Sequence, residues 1–220
     1  MPLIAKPSKS CYICGQSPSS QEHVPARCFF PTDSSYRKQL ITVPSCEKHN
    51  EDTSADDEYV RNIITVHHEN NPIAFQQFKN KVVRSLKLDI SKFGKPHKIV
   101  TPQGAVYAFE IDRARFERVI RKMGYAIFFH VHKYQWNRKL IVLSKHLLYR
   151  DLSYDDYGEL LISVEANLPE LPSNGQNPQV FHYAIVKSGL ENEDSIIRLT
   201  FYEGFTVWIT TVIGSSTWSF

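Results

Sequence analysis

Cys11-Tyr12-Ile13-Cys14-Gly15 and Cys46-Glu47-Lys48-His49-Asn50 set two Cys/His pairs in the chain, each with two residues between its members. That spacing lets each pair fold as a tight knuckle and is a metal-site spacing, for Zn²⁺ above all. Three thiolates and one imidazole make a closed tetrahedral site. Zn²⁺ held there is structural, because no coordination position remains for a substrate. Gly15 permits a positive φ just past the first pair, so backbone N–H groups can reach the thiolates. A single Cys-x-x-Cys leaves a redox couple open; a second pair ending in His points to metal instead. The competing reading is four ordinary residues of a reduced cytosolic protein. Cys28, the odd thiol, reads as buried packing.

Glu22-His23-Val24-Pro25 lies between the knuckles. Hydrolysing a phosphodiester requires that water be deprotonated, the pentacoordinate phosphate stabilised and the leaving oxygen neutralised. A neutral imidazole does the first, and one divalent cation does the other two. His23 is the candidate base. Glu22 and Asn50 offer hard oxygen ligands suited to Mg²⁺ or Mn²⁺. The plainer alternative for His23 is a solvated loop histidine beside Pro25. Asp56, Asp57 and Glu58 read as an acidic first helical turn that complements the helix dipole. His67-His68 and the His130/His132 pair are further imidazoles, in apolar or helical surroundings that favour packing over ligation.

These groups need elements to hold them. Pro18, Pro25, Pro31 and Pro44 argue against helix over 11–50, so short strands and loops are expected there. Leu40-Ile41-Thr42-Val43 suits a strand entering the second knuckle. A helix follows, with Ser54 and Asp57 resembling a capping box and Tyr59, Ile63 and Val66 on one face; its start could lie as early as His49. Asn71-Pro72 reads as N-cap and first helical residue, with Phe75, Phe78, Val82 and Leu86 at helical spacing. Lys79, Lys81, Arg84 and Lys87 occupy the other face, and Lys92, Lys95 and Lys98 extend the basic run into a loop. Ile99–Thr101 and Val106–Ile111 suggest a hairpin turning at Gln103-Gly104. Asp112 caps a helix with the apolar stripe Phe116, Ile120, Met123 and Ile127. Residues 136–177 are the least readable, with Pro169, Pro172, Gly175 and Pro178 marking a long loop. The end reads as an antiparallel meander from Val180 to Ile213, with Glu203-Gly204 as a two-residue turn.

The chain has 220 residues, 42% hydrophobic and 12% aromatic, enough for a real core. Four cysteines, three in one proposed site, make no disulfide framework and favour a reducing compartment, so a cytoplasmic location is expected. Met1 to Lys6 is too short and too weakly apolar to read as a signal peptide. No run approaches about 20 apolar residues, so no membrane helix is expected. Net charge is +3 but unevenly spread: 79–150 carries 17 Lys/Arg against 4 Asp/Glu, and 151–220 carries 2 against 10. A basic middle third is the footprint of something that touches phosphates, with Lys79, Arg84, Arg118 and Arg121 as candidate nucleic-acid contacts. The alternative is pairing between the basic and acidic thirds.

Tandem Glu22-His23, the Cys46-Glu47-Lys48-His49 knuckle with Asn50 after it, and Cys11-x-x-Cys14 resemble the HNH endonuclease family. The phrase Glu-His-Val-Pro, then Val-Pro-Ser-Cys and Asp57-Glu58-Tyr59, is similar to a bacterial subgroup of it. The resemblance covers about residues 11–66. With the elements read above for the rest of the chain, it gives an α+β chain in two parts. Residues 1–70 form a zinc-bound ββα-metal (treble-clef) nuclease module. Residues 71–220 form a basic accessory domain of helices and antiparallel β-meander. It further implies cleavage of nucleic acid, DNA first, with His23 as general base, Mg²⁺ or Mn²⁺ at Glu22 and Asn50, and Zn²⁺ at Cys11, Cys14, Cys46 and His49. A bacterial defence role follows by analogy alone. His49 stands where Cys is commoner. The family's middle Asn, which orients the catalytic His, has no match; Thr42 or a backbone carbonyl takes its place. The alternative from a different class is a non-catalytic zinc module that binds nucleic acid or a protein partner. A protein partner or homo-oligomer is compatible with either.

Overall fold

The computed structural model describes residues 10–50, 54–84, 95–101, 104–144, 146, 161–162, 164–166, 171–187 and 195–211. Expectations for residues 1–9, for Leu86, Lys87 and Lys92, for the turn residue Gln103, for Pro169 and for Ile213 lie outside them.

Strands β1 (Ser20–Val24) and β2 (Ile41–Ser45) pair antiparallel, with Glu22 opposite Val43 and His23 opposite Thr42. A single helical turn, α1 (Glu47–Asn50), leaves β2, and α2 (Ser54–Thr65) follows. The expected apolar face is half right. Tyr59 and Ile63 are buried, but Val66 is 46% exposed because the helix ends one residue earlier.

Helix α3 (Pro72–Gln77) begins as its sequence predicts. Pro72 takes the first turn and the Asn71 side chain accepts from the N–H groups of Ile73 and Ala74. A π turn, Phe78–Val82, then inserts an extra residue. The buried face consequently runs through Ala74, Gln77 and Val82, and Phe75 is 61% exposed under Lys79. Gln77 is buried because its amide donates to the carbonyls of Cys28 and Phe29.

Strands β3 (Lys95–Thr101) and β4 (Gly104–Glu110) form the expected hairpin, with Thr101 opposite Gly104. Lys95 and Lys98 belong to β3 and not to a loop, since the alternating backbone of the hairpin extends that far. Helix α4 (Arg113–His132) is capped by Asp112, whose carboxylate accepts from the Arg115 N–H. Its stripe of Phe116, Ile120, Met123 and Ile127 is buried throughout. Lys133, at φ 66°, ends the helix in the left-handed region.

A five-stranded antiparallel sheet closes the chain in the order β5-β9-β8-β7-β6. Its strands are β5 (Leu140–Leu143), β6 (Asn174–Asn177), β7 (Phe181–Lys187), β8 (Ser195–Phe201) and β9 (Phe205–Thr211). The expected meander is β7-β8-β9. The least readable stretch supplies both edge strands, whose four-residue length leaves little periodicity to read. The β8–β9 turn has three residues, because Phe201 pairs with Phe205. Tyr202 and Glu203 take the positive φ values, 48° and 62°. Gly204 serves another purpose: a Cβ there would lie 2.4 Å from the Glu69 backbone.

The fold is thus mixed α and β with antiparallel sheets. One buried cluster runs from Cys11, Tyr12 and Phe29 through Ile64 and Ile120 to Phe201 and Ile209. It draws on both sides of residue 70, burying α4 between the small hairpin and the large sheet. Among the described residues, no helix is long and apolar enough to cross a membrane.

Candidate metal centre and its surroundings

The first knuckle is built by its backbone. Gly15 sits at φ +72° and its N–H donates to the Cys11 carbonyl at 3.0 Å. The Tyr12 N–H donates to the Pro44 carbonyl at 2.9 Å, which anchors this knuckle on β2. Gln135, just beyond α4, donates through Nε2 to the Cys11 carbonyl at 3.0 Å. The second knuckle straddles the end of β2 and the start of α1, where the His49 N–H donates to the Cys46 carbonyl.

These turns bring together the four residues singled out by spacing. His49 Nδ1 lies 3.2 Å from Cys46 Sγ and 3.4 Å from Cys11 Sγ, and Cys14 Sγ lies 3.8 Å from Cys46 Sγ. All four ligand atoms fall within 4.8 Å of one another, so the group can hold a metal ion. Cys11 and Cys46 are buried, and Cys14 is exposed. Burial alone would raise the Cys11 thiol. The N–H groups of Cys14, Ile13 and Cys46, with the His49 side chain, outweigh it and lower Cys11 to about 6. Cys46 is pushed up, by burial and then by the neighbouring Cys11 and Cys14 sulfurs. The thiolate is therefore favoured at Cys11 over Cys46, and a bound cation would draw thiols into the ionised form.

His23 and Glu22 face opposite sides of β1, as adjacent strand residues must. His23 is half-buried, and burial followed by the charge of Arg27 lowers its pKa, keeping the imidazole neutral near pH 7. Its Nδ1 is buried with no hydrogen-bond partner among the described residues. Thr42, the residue across the ladder, does not partner that nitrogen.

Glu22 departs from the expectation of an open carboxylate for Mg²⁺. It is 5% exposed, on the inward face of β1. Oε2 accepts from the Tyr12 hydroxyl at 2.8 Å and Oε1 is ion-paired with Lys122. Lys122 also lies 3.6 Å from Asp57. The inward face needs a charge partner for Glu22, and α4 supplies it. Asn50 is held elsewhere, its Nδ2 donating to Ser20 Oγ at 2.7 Å.

The basic residues divide. Lys79 and Arg84 are exposed on the helical segment after Pro72. Arg118 pairs with Asp56 at 2.8 Å, and Arg115 pairs with the same carboxylate. Arg121 pairs with Glu117 and also donates to the Leu140 carbonyl. Asp56 is therefore an interhelical ion-pair partner more than a helix-dipole residue. Lys122 and Arg27 escaped sequence reasoning. Lys122 looks like one more surface cation beside the α4 stripe, and Arg27 gains its place only through the turn after β1.

No family model matches the chain, and neither a curated protein nor a solved structure matches it. The resemblance to HNH nucleases rests on the quoted residues.

Proposed function

We propose that the Cys11, Cys14, Cys46 and His49 group holds a structural Zn²⁺ in a treble-clef arrangement, and that the module it stabilises hydrolyses phosphodiester bonds in DNA. The observation that carries this reading is the position of a neutral His23 on a hairpin whose Ser20/Ser45 end is flanked by the two metal-ligand knuckles. The donor set fits Zn²⁺ because thiolate and imidazole suit a borderline-soft ion, whereas Mg²⁺ prefers oxygen.

His23 acts as general base. With Nδ1 buried, Nε2 takes the proton from the attacking water as the new P–O bond forms, and the leaving oxygen departs opposite and is protonated by solvent. Arg27, whose charge is felt at His23, is the guanidinium available to the phosphate. Asn50 keeps its carbonyl oxygen for a Mg²⁺, which needs only one or two protein ligands and retains several waters. That cation would offset charge on the phosphoryl and leaving oxygens. Glu22, committed to Tyr12 and Lys122, has a structural role. Lys79 and Arg84 supply duplex contacts.

Supercoiled plasmid incubated with Mg²⁺, Mn²⁺ or EDTA tests the reading. Nicking is expected with metal and not with EDTA, and His23→Ala should lower it by about 10²–10⁴-fold while zinc content and DNA binding persist. The commitment of Glu22 to Lys122 favours a second reading, a non-catalytic zinc module that binds nucleic acid. DNA binding by the wild type without nicking under any of these metals would leave that one standing.

A further inference from the structure

We infer that His67, Glu69 and His146 form a second metal site, separate from the Cys/His knuckles, for a divalent transition ion of the Zn²⁺ type. One ligand atom from each residue lies within 4.8 Å of the other two. His67 and Glu69 come from the turn between α2 and α3, and His146 from the chain just after β5. Residues almost eighty positions apart meet here, so sequence spacing alone gives no sign of the group.

The convergence is fixed by contacts outside the group. The Asn71 N–H donates to the Tyr202 carbonyl at 2.9 Å, and its side-chain amide donates to Gln179 and Glu203 at 2.7 and 2.9 Å. Gly204 lets the β8–β9 turn press against the Glu69 backbone, where a Cβ has no room. On the other side, Ser144 donates to the Thr206 carbonyl at 3.2 Å, holding the chain that leads to His146.

Phe205 then orients both rings. His146 stacks on it at 4.8 Å between centroids, and His67 meets it edge-on at 5.4 Å. The two imidazoles are 4.1 Å apart and near perpendicular. The Glu69 carboxylate lies 4.0 Å from His146 Nδ1, at the outer limit of an ion pair. The His146 side chain is 4% exposed and that of Glu69 is 53% exposed. The His146 ring is thus enclosed against Phe205, and the third ligand is a long, exposed side chain able to swing inward.

Ligands about 2.1 Å from Zn²⁺ at tetrahedral angles are about 3.4 Å apart, so a modest closure of Glu69 completes the geometry. The long Glu69 N–H contact to His67 Nδ1, 3.4 Å, is weak enough to yield. Two imidazoles and one carboxylate suit Zn²⁺, Co²⁺ or Ni²⁺ and discriminate against Ca²⁺ and Mg²⁺. Three protein ligands leave a fourth position for water, unlike the closed knuckle site. The inference is independent of the nuclease reading.

The test titrates Zn²⁺ and Co²⁺ into the full-length protein already carrying its knuckle metal, with metal counted after gel filtration. Wild type is expected to take up a further equivalent, and Co²⁺ there should lack the thiolate charge-transfer band that knuckle-bound Co²⁺ gives. His146→Ala and Glu69→Gln should keep the knuckle metal and weaken the added equivalent by more than about 100-fold, beyond the cost of losing an outer-shell partner. His68→Ala should leave it unchanged. Glu69 is exposed, so Glu69→Gln decides the matter even if His146→Ala fails to fold. No further equivalent in wild type, or an undiminished one in Glu69→Gln, overturns the assignment.

Discussion

The ammonium of Lys122 is ion-paired with the Glu22 carboxylate inside the molecule, where their side chains are 12% and 6% exposed. The pair ties β1 to α4 and turns Glu22 away from solvent. Removing Lys122 alone leaves the buried Glu22 carboxylate without its ion-pair partner. Lys122→Met is therefore expected to cost about 3–5 kcal/mol in urea unfolding of the metal-loaded protein. A loss under about 1 kcal/mol would mean that Glu22 readily finds another partner.

Metal removal should act on the fold and not on a catalytic step. An ion held by the four knuckle ligands would contribute folding free energy. Cys46→Ser, or prolonged chelation, is expected to lower the melting temperature sharply and to release one Zn²⁺. Elemental analysis and thermal melts check both, and metal-free protein with an unchanged melt contradicts the assignment.

DNA binding should depend on salt through residues that are not already paired. Lys79→Glu with Arg84→Glu is expected to flatten the log–log salt dependence by roughly 0.9 for each lost phosphate contact. Reversal at Arg118 or Arg121 also breaks pairs with Asp56 or Glu117, so its effect should appear in stability as well. Fluorescence anisotropy over a salt series, with unfolding curves beside it, separates the two.

Acid should destabilise the fold through half-buried histidines. Burial lowers His130, His132 and His182 below the ordinary 6.5, with Lys133, Lys187 and Arg198 adding to it in turn. Glu203 acts the other way on His182. Their neutral forms are favoured in the folded state, so the unfolded chain takes up protons first. The stability they contribute is complete above about pH 6.5 and is lost as pH falls through the lowered folded values. Denaturant midpoints at pH 7.5, 6.0 and 5.0 should fall, and His182→Gln should fall less steeply than wild type.

Sequence alone determined the features that depend on neighbours along the chain. The two knuckles, the Gly15 turn, the Asn71 and Asp112 caps and the α4 stripe follow from local spacing, because two-residue gaps and 3.6-residue periodicity are local geometry. Tertiary structure decided what depends on distant partners. Glu22 looks like an open metal ligand until α4 brings Lys122 against it. Phe75 looks like core until the π turn at Phe78–Val82 shifts the helix face. Residues 140–143 are hard to read because an edge strand of four residues carries little periodicity and pairs with a distant strand, β9. His67, Glu69 and His146 become neighbours only when Gly204 and Asn71 lock the α2–α3 turn onto the large sheet. A side chain's type is written locally, but its burial, charge partner and ligand neighbours are set by contacts that close across the whole chain.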